Sequence, residues 1–171
     1  MMYAGDYDDR PVPGSLNIGV TIPPYTWYTT NVYWPQLLYP YVKNDQVFFC
    51  PSSPLAKNFG PGAEWTVARA YNQHVGPRIT ALGGAATTLL GMVKRPAEIG
   101  ILVDSAGVCF LTVSEFIAQP TGYGSGYRTT YPWHNDGVNM TYCDGHVKWL
   151  AGTSYIGNVA VGNAVWGQPF Q

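Results

Sequence analysis

Asp144-Gly145 stands between two β-like runs, Met140-Thr141-Tyr142-Cys143 before it and His146-Val147-Lys148-Trp149 after it. A two-residue hairpin turn needs positive φ at both central positions, and Asp-Gly is one of the few pairs that accept this. With the turn there, Cys143 faces His146, Tyr142 faces Val147, Thr141 faces Lys148 and Met140 faces Trp149. One face then collects Met140, Tyr142, Val147 and Trp149, and the other Thr141, Cys143, His146 and Lys148. This apolar-in, polar-out alternation predicts a C-terminal β-hairpin over 134–150 lying on a core.

The rest of the chain supplies a sheet for that hairpin. Ile99 to Val103 is almost continuously apolar, bounded by Pro96 before and by Ser105 and Gly107 after, as a central buried strand is. Val108 to Val113 is expected to pair with it as the next strand. Gln46 to Phe49 and Val67 to Gln73 read as further strands, while 81–90 is ambiguous. Trp34 to Val42 reads as a short helix: Pro35 suits a first helical turn, Leu37, Leu38 and Tyr41 share a face, and Pro40 limits the length. Residues 1–9 read as the last turn of a helix, ending before Asp6 and running into an acidic loop. Prolines and hydroxyls mark 10–32 as loop, and Gly-Tyr repeats with two prolines mark 119–133 as a long surface loop.

Composition narrows the function class. The 171 residues fit a single domain over 1–171 with room for a real core. Charged residues make up 11%, well below the roughly 25% of ordinary soluble domains, and 13 Tyr and 6 Trp take up the difference. Disorder is excluded, since it needs low hydrophobicity and high net charge and the net charge is −1. Nine Lys and Arg, scattered, make no basic patch for nucleic acid. No apolar run reaches the roughly 20 residues that span a bilayer. Cys50, Cys109 and Cys143 form no CxxC pair, which argues against a zinc ribbon.

The segment His134 to Gly145, HNDGVNMTYCDG, is a His, nine residues, then Asp-Gly. This resembles the prepilin-type family named for that spacing. Three further stretches resemble it in the family's order: MMYAGDYDDR, YPYVKNDQVFFCPSSP, and AYNQHVG followed by VKRPAEIGILVDS. Together they cover roughly a third of the chain. The resemblance is to the globular domains of type II secretion pseudopilins and type IV pilins. It implies an α+β fold in which an N-terminal helix, mostly missing from this chain, packs on an antiparallel β-sheet with long loops. It implies a structural subunit of an extracellular filament or secretion pseudopilus and not an enzyme. Its partners would be further copies of itself and other pilin-like or secretion-system subunits, with the membrane reached only through the missing helix.

Several residues invite chemistry. His134, Asp144 and Gly145 carry the motif, but His134 enters the first hairpin strand and Asp144 ends it, so at about 3.3 Å per residue they are too far apart to share a ligand. A structural role is expected for them. No nucleophile motif such as GxSxG accompanies them. Calcium is the one cofactor with candidate ligands, the loop carboxylates Asp6, Asp8, Asp9, Asp104 and Asp136, set against solvated acidic turns. Similar major pseudopilins carry calcium near a C-terminal loop, although the EF-hand pattern is absent from this chain. The aromatic stretch with Tyr25, Trp27, Tyr28, Tyr33 and Trp34 suits either a subunit interface or sugar stacking. The second use would make the chain a secreted carbohydrate- or surface-binding module. In the extracellular location that the resemblance implies, Cys50 and Cys143, both ending strands, are the preferred disulfide pair, with Cys109 a buried thiol. Asn139-Met140-Thr141 matches a glycosylation sequon by accident of a strand.

Overall fold

The structure is a computed structural model that describes residues 2–17, 32–52, 69–72, 75, 78–80, 89–104, 110–111 and 134–151. The chain is a mixed α+β protein. Helix α1 (Met2–Asp6) leads to strand β1 (Ser15–Asn17), then β2 (Val32–Tyr33) and helix α2 (Trp34–Val42). Strands β3 (Arg69–Asn72), β4 (Arg78–Thr80), β5 (Gly100–Asp104), β6 (Phe110–Leu111), β7 (Gly137–Tyr142) and β8 (Val147–Ala151) follow.

The larger sheet runs β6-β3-β5-β7-β8, and the smaller β2-β1-β4. In the larger one β3, β5, β7 and β8 are antiparallel neighbours, and β6 joins β3 in parallel. The second apolar strand therefore does not pair with β5 as expected. Tyr71 takes Phe110 as its partner, while both edges of β5 are filled by β3 and β7. The region read as loop over 10–32 contributes β1 and β2. Gln46 to Phe49 is not a strand either. Asp45–Phe48 forms a 3-10 turn because Asn44 Oδ1 accepts the Gln46 N–H at 3.0 Å and caps it.

Helix α2 forms where the spacing predicts. Pro35 lies in its first turn, and Gln36 Oε1 accepts the Tyr33 N–H at 2.8 Å. Pro40 sits inside the last turn, and the helix stops two residues later with Lys43 in the left-handed region, φ 52°. Helix α1 runs through Asp6 and not merely to Ala4.

The core is aromatic. Trp34, only 2% exposed, stacks on Tyr71 with centroids 5.8 Å apart and meets Phe48 edge-on at 5.6 Å. Val12 completes this cluster, with Tyr3, Leu37, Leu38, Ile101 and Leu102 packed around it. Burying side chains of this size stabilises by about 1.5–3 kcal/mol each. The Tyr71 hydroxyl is not wasted: it donates to the Val12 carbonyl at 2.6 Å. A second cluster holds Val75, Val93, Ile99 and Cys143.

The C-terminal hairpin exists, but its register is one residue away from the expected one. Thr141 pairs with Val147, Met140 with Lys148, Asn139 with Trp149, and Gly137 with Ala151. The loop has three residues: the Gly145 N–H donates to the Tyr142 carbonyl and the Tyr142 N–H to the His146 carbonyl, both at 2.9 Å. Only Gly145 takes positive φ, at 93°, as in a type I turn closed by a glycine bulge. A one-residue slip moves a strand's side chains to the opposite face of its partner. Val147 and Trp149, expected on the core face, are exposed on the same face as Asn139 and Thr141.

Candidate functional site

Two residues of the motif segment, His134 and Asn139, meet at the end of β5. Asp104 closes that strand and its side chain is fully buried. Val103 pairs with Met140, so the next rung sets Asp104 against Asn139 with both side chains on one face. Asp104 Oδ2 accepts both the backbone N–H of Asn139, at 2.7 Å, and its Nδ2, at 3.0 Å. The same oxygen lies 3.2 Å from His134 Nε2. That nitrogen is also 3.5 Å from Cys50 Sγ, which reaches in from the loop after α2.

His134 is held from its other side by a tight turn. It and Gly137 exchange N–H···O bonds at 3.2 and 3.1 Å across Asn135 and Asp136, which take φ of 53° and 57°. Paired positive φ is the signature of the type I′ turn, and it occurs in this turn and not at Asp144-Gly145. Trp149 then ties β8 to the corner: its Nε1–H donates to the His134 carbonyl at 2.7 Å. The ring lies so close to Gly137 that a Cβ there would run into the indole and the Leu150 carbonyl.

Cys, His and Asp together suggest a catalytic relay, but the geometry does not allow one. A relay uses the two imidazole nitrogens separately, one for the acid and one for the nucleophile. Here Nε2 alone faces both Cys50 and Asp104. Cys50 is also only 1% exposed. What the arrangement does is pin the Cys50 loop and the His134 turn to the sheet through one buried carboxylate. His134 and Asp144 do lie at opposite ends of β7, as the spacing predicts. Asp144 has its own partner: Oδ1 is 2.6 Å from His146 Nδ1 and accepts the His146 N–H at 3.1 Å, while the His146 ring stacks on Tyr142. The His146 N–H, first among these contacts, holds the Asp144 carboxyl below its usual value.

The expected disulfide is not made. Cys50 and Cys143 are both free thiols. Cys50 faces His134, whereas Cys143 packs with Val75, Val93 and Ile99, where burial and then Asp144 push its thiol up to about 12. Cys109 lies outside the described residues. The calcium candidates do not converge. Asp6 Oδ2 accepts the Tyr41 hydroxyl at 2.9 Å, Asp9 Oδ2 accepts the Gly91 N–H at 3.2 Å, and Asp104 is committed as above. Asp8 and Asp136 are exposed turn residues with positive φ. Among the described residues no three His, Cys, Asp or Glu side chains are grouped to hold a metal ion.

Of the aromatic stretch, Tyr25, Trp27 and Tyr28 lie outside the described residues. Trp34 is no surface stacker, because it is a centre of the core. Tyr33 is half-buried beside it. Asn139 is bonded to Asp104 and half-buried, so its sequon is closed to modification. An apolar cavity of about 300 Å³ opens between α1 and the sheet, lined by Tyr3, Ala4, Leu38, Tyr71 and Ile101 among others. Among the described residues no helix is long and apolar enough to cross a membrane. The Cys50–His134 contact spans 84 positions and left no local signal in the sequence. No family model matches the chain, and neither a curated protein nor a solved structure matches it significantly.

Proposed function

We propose that this chain is the globular domain of a pilin-like subunit, which acts by assembling into an extracellular filament or a type II secretion pseudopilus. The observation that carries the reading is the use of the His134-to-Gly145 segment. Every motif residue in it is spent on structure: His134 on Asp104 and the Cys50 loop, Asp144 on His146, and Gly145 on the hairpin turn. Of the three only Gly145 borders the apolar cavity, and it carries no side chain to do chemistry there, while His134 and Asp144 are engaged with protein partners. The element order supports the same reading, with a short helix first, packed by Tyr3 against the aromatic core, and the sheet and hairpin after it. In a pilin-like subunit the long N-terminal helix forms the filament core and the α+β domain faces out. Its partners are then further copies of the subunit and other pilin-like subunits.

The test is made on the gene and its complete product. Reading the frame upstream of Met1 should show an apolar stretch of about 20 residues, long enough to cross a bilayer. Electron microscopy of cells expressing the complete product should show filaments that vanish when that stretch carries a charge. A frame that begins at Met1, or with a cleaved secretory leader, removes the assembly mechanism.

A further inference from the structure

Strand β8 ends the five-stranded order, and no described strand pairs with its outer side. The ladder to β7 fixes which of its backbone groups point outward. Tyr142 donates to His146 at 2.9 Å, so these two form a hydrogen-bonded pair. Antiparallel pairs alternate between bonded and non-bonded. Met140/Lys148 and Val138/Leu150 are then bonded pairs, and Thr141/Val147, Asn139/Trp149 and Gly137/Ala151 are non-bonded. A residue in a non-bonded pair turns both its N–H and its C=O away from its neighbour. Val147, Trp149 and Ala151 therefore offer a row of alternating donors and acceptors to the open edge.

The side chains of the same residues share one face, and two are large and exposed: Val147 at 62% and Trp149 at 46%. Trp149 is also preorganised, since its Nε1–H is tied to the His134 carbonyl and its ring rests on Gly137. Ordering it again in a contact costs little rotamer entropy. Edge strands are usually blunted by charge, proline or a bulge. On β8 the one charge is Lys148, whose side chain leaves on the opposite face from Val147 and Trp149.

We propose that β8 is an interface between two copies of this chain, paired antiparallel about a two-fold axis at Trp149. Trp149 then meets the partner's Trp149, and Val147 meets the partner's Ala151. Self-complementarity is what selects a second copy over an unrelated peptide. In this register Lys148 lies opposite the partner's Leu150, so no like charges oppose each other, and each exposed apolar side chain meets an apolar one. The contact is isologous and closes at a dimer. It stands on the geometry of the edge alone and does not rest on the filament reading.

Hydrogen exchange on the 171-residue chain, followed from micromolar to millimolar concentration, gives a signature specific to this register. The amides of Val147, Trp149 and Ala151 should slow by about tenfold once most of the chain is dimeric. Those of Lys148 and Leu150, already bonded to β7, should not change. Val147→Pro removes one outward N–H at the first residue of an edge strand, where proline is tolerated. By sedimentation equilibrium it should stay monomeric where the parent chain is dimeric. If that variant fails to fold, the alternating protection in the parent chain decides the matter alone. A parent chain that stays monomeric at millimolar concentration overturns the proposal. So does protection without the alternation, or a folded Val147→Pro that associates as well as the parent.

Discussion

Removing the His134 imidazole takes a partner from a buried carboxylate and unlatches the Cys50 loop in one step. Hydrogen bonds to charged groups contribute about 1.5–3 kcal/mol, and His134→Ala should lose an amount in that range by chemical denaturation. A catalytic histidine would be removed with little change in stability, so an unaltered denaturation midpoint would sink the structural role. Alkali provides a second test on single residues. Burial pushes the Tyr71 hydroxyl well above its ordinary 10.0, and burial, then Asp144, pushes the Cys143 thiol from 9.0 up to about 12. Both groups are favoured in their neutral forms by the fold. Above pH 9 or so the unfolded chain sheds these protons before the folded one does, so it binds fewer and stability falls as pH rises. Below that window the two states hold the same protons and the dependence vanishes. Melting temperatures measured from about pH 8 to about pH 11 should show the decline, and Cys143→Ala should flatten part of it.

At the scale of elements, the hairpin shows what the sequence made legible and what it did not. That β7 and β8 form a hairpin followed from alternation around Asp144-Gly145. The register did not, because Asp-Gly serves a two-residue turn and a three-residue loop closed by glycine equally well. Only the hydrogen bonds distinguish them, and the difference turns Val147 and Trp149 from core to surface. Helix α2 was readable because proline position and side-chain spacing are local signals. The burial of Trp34 was not, because a run of aromatic residues has no period that separates inside from outside. Asp104 looked like any loop carboxylate until Asn139 and His134 were brought to it across the sheet. Gly137 is the position on which the corner depends. Gly137→Ala would force its Cβ into the Trp149 ring and the Leu150 carbonyl. Overpacking of this kind costs about 1–3 kcal/mol. The Trp149 Nε1–H should also leave its bond to His134, seen as a shifted indole resonance. A variant as stable as the parent, with that resonance unmoved, would show that the ring does not rest on Gly137.

For the whole molecule, the question is whether α1 belongs to the fold or merely precedes it. Tyr3 stacks on Tyr7 at 4.3 Å, meets Tyr41 edge-on at 5.6 Å and packs against the aromatic cluster, while Ala4 is buried. Asp6 adds a bond to the Tyr41 hydroxyl, so α1 and α2 hold each other over the sheet. Tyr3 and Ala4 also wall the apolar cavity, which would lose that wall and widen without them. Deleting residues 1–6 should therefore cost about 2–3 kcal/mol, the burial of one large side chain and part of another. The widened cavity should bind a hydrophobic dye such as ANS, while the far-UV signal of the sheet persists. This outcome matters for the functional reading, because a pilin-like subunit transmits load from its helix to its sheet only if the two share a core. If the truncated chain melts with the parent and binds no dye, α1 is a passenger, and the helix-on-sheet architecture that filament assembly needs loses its support.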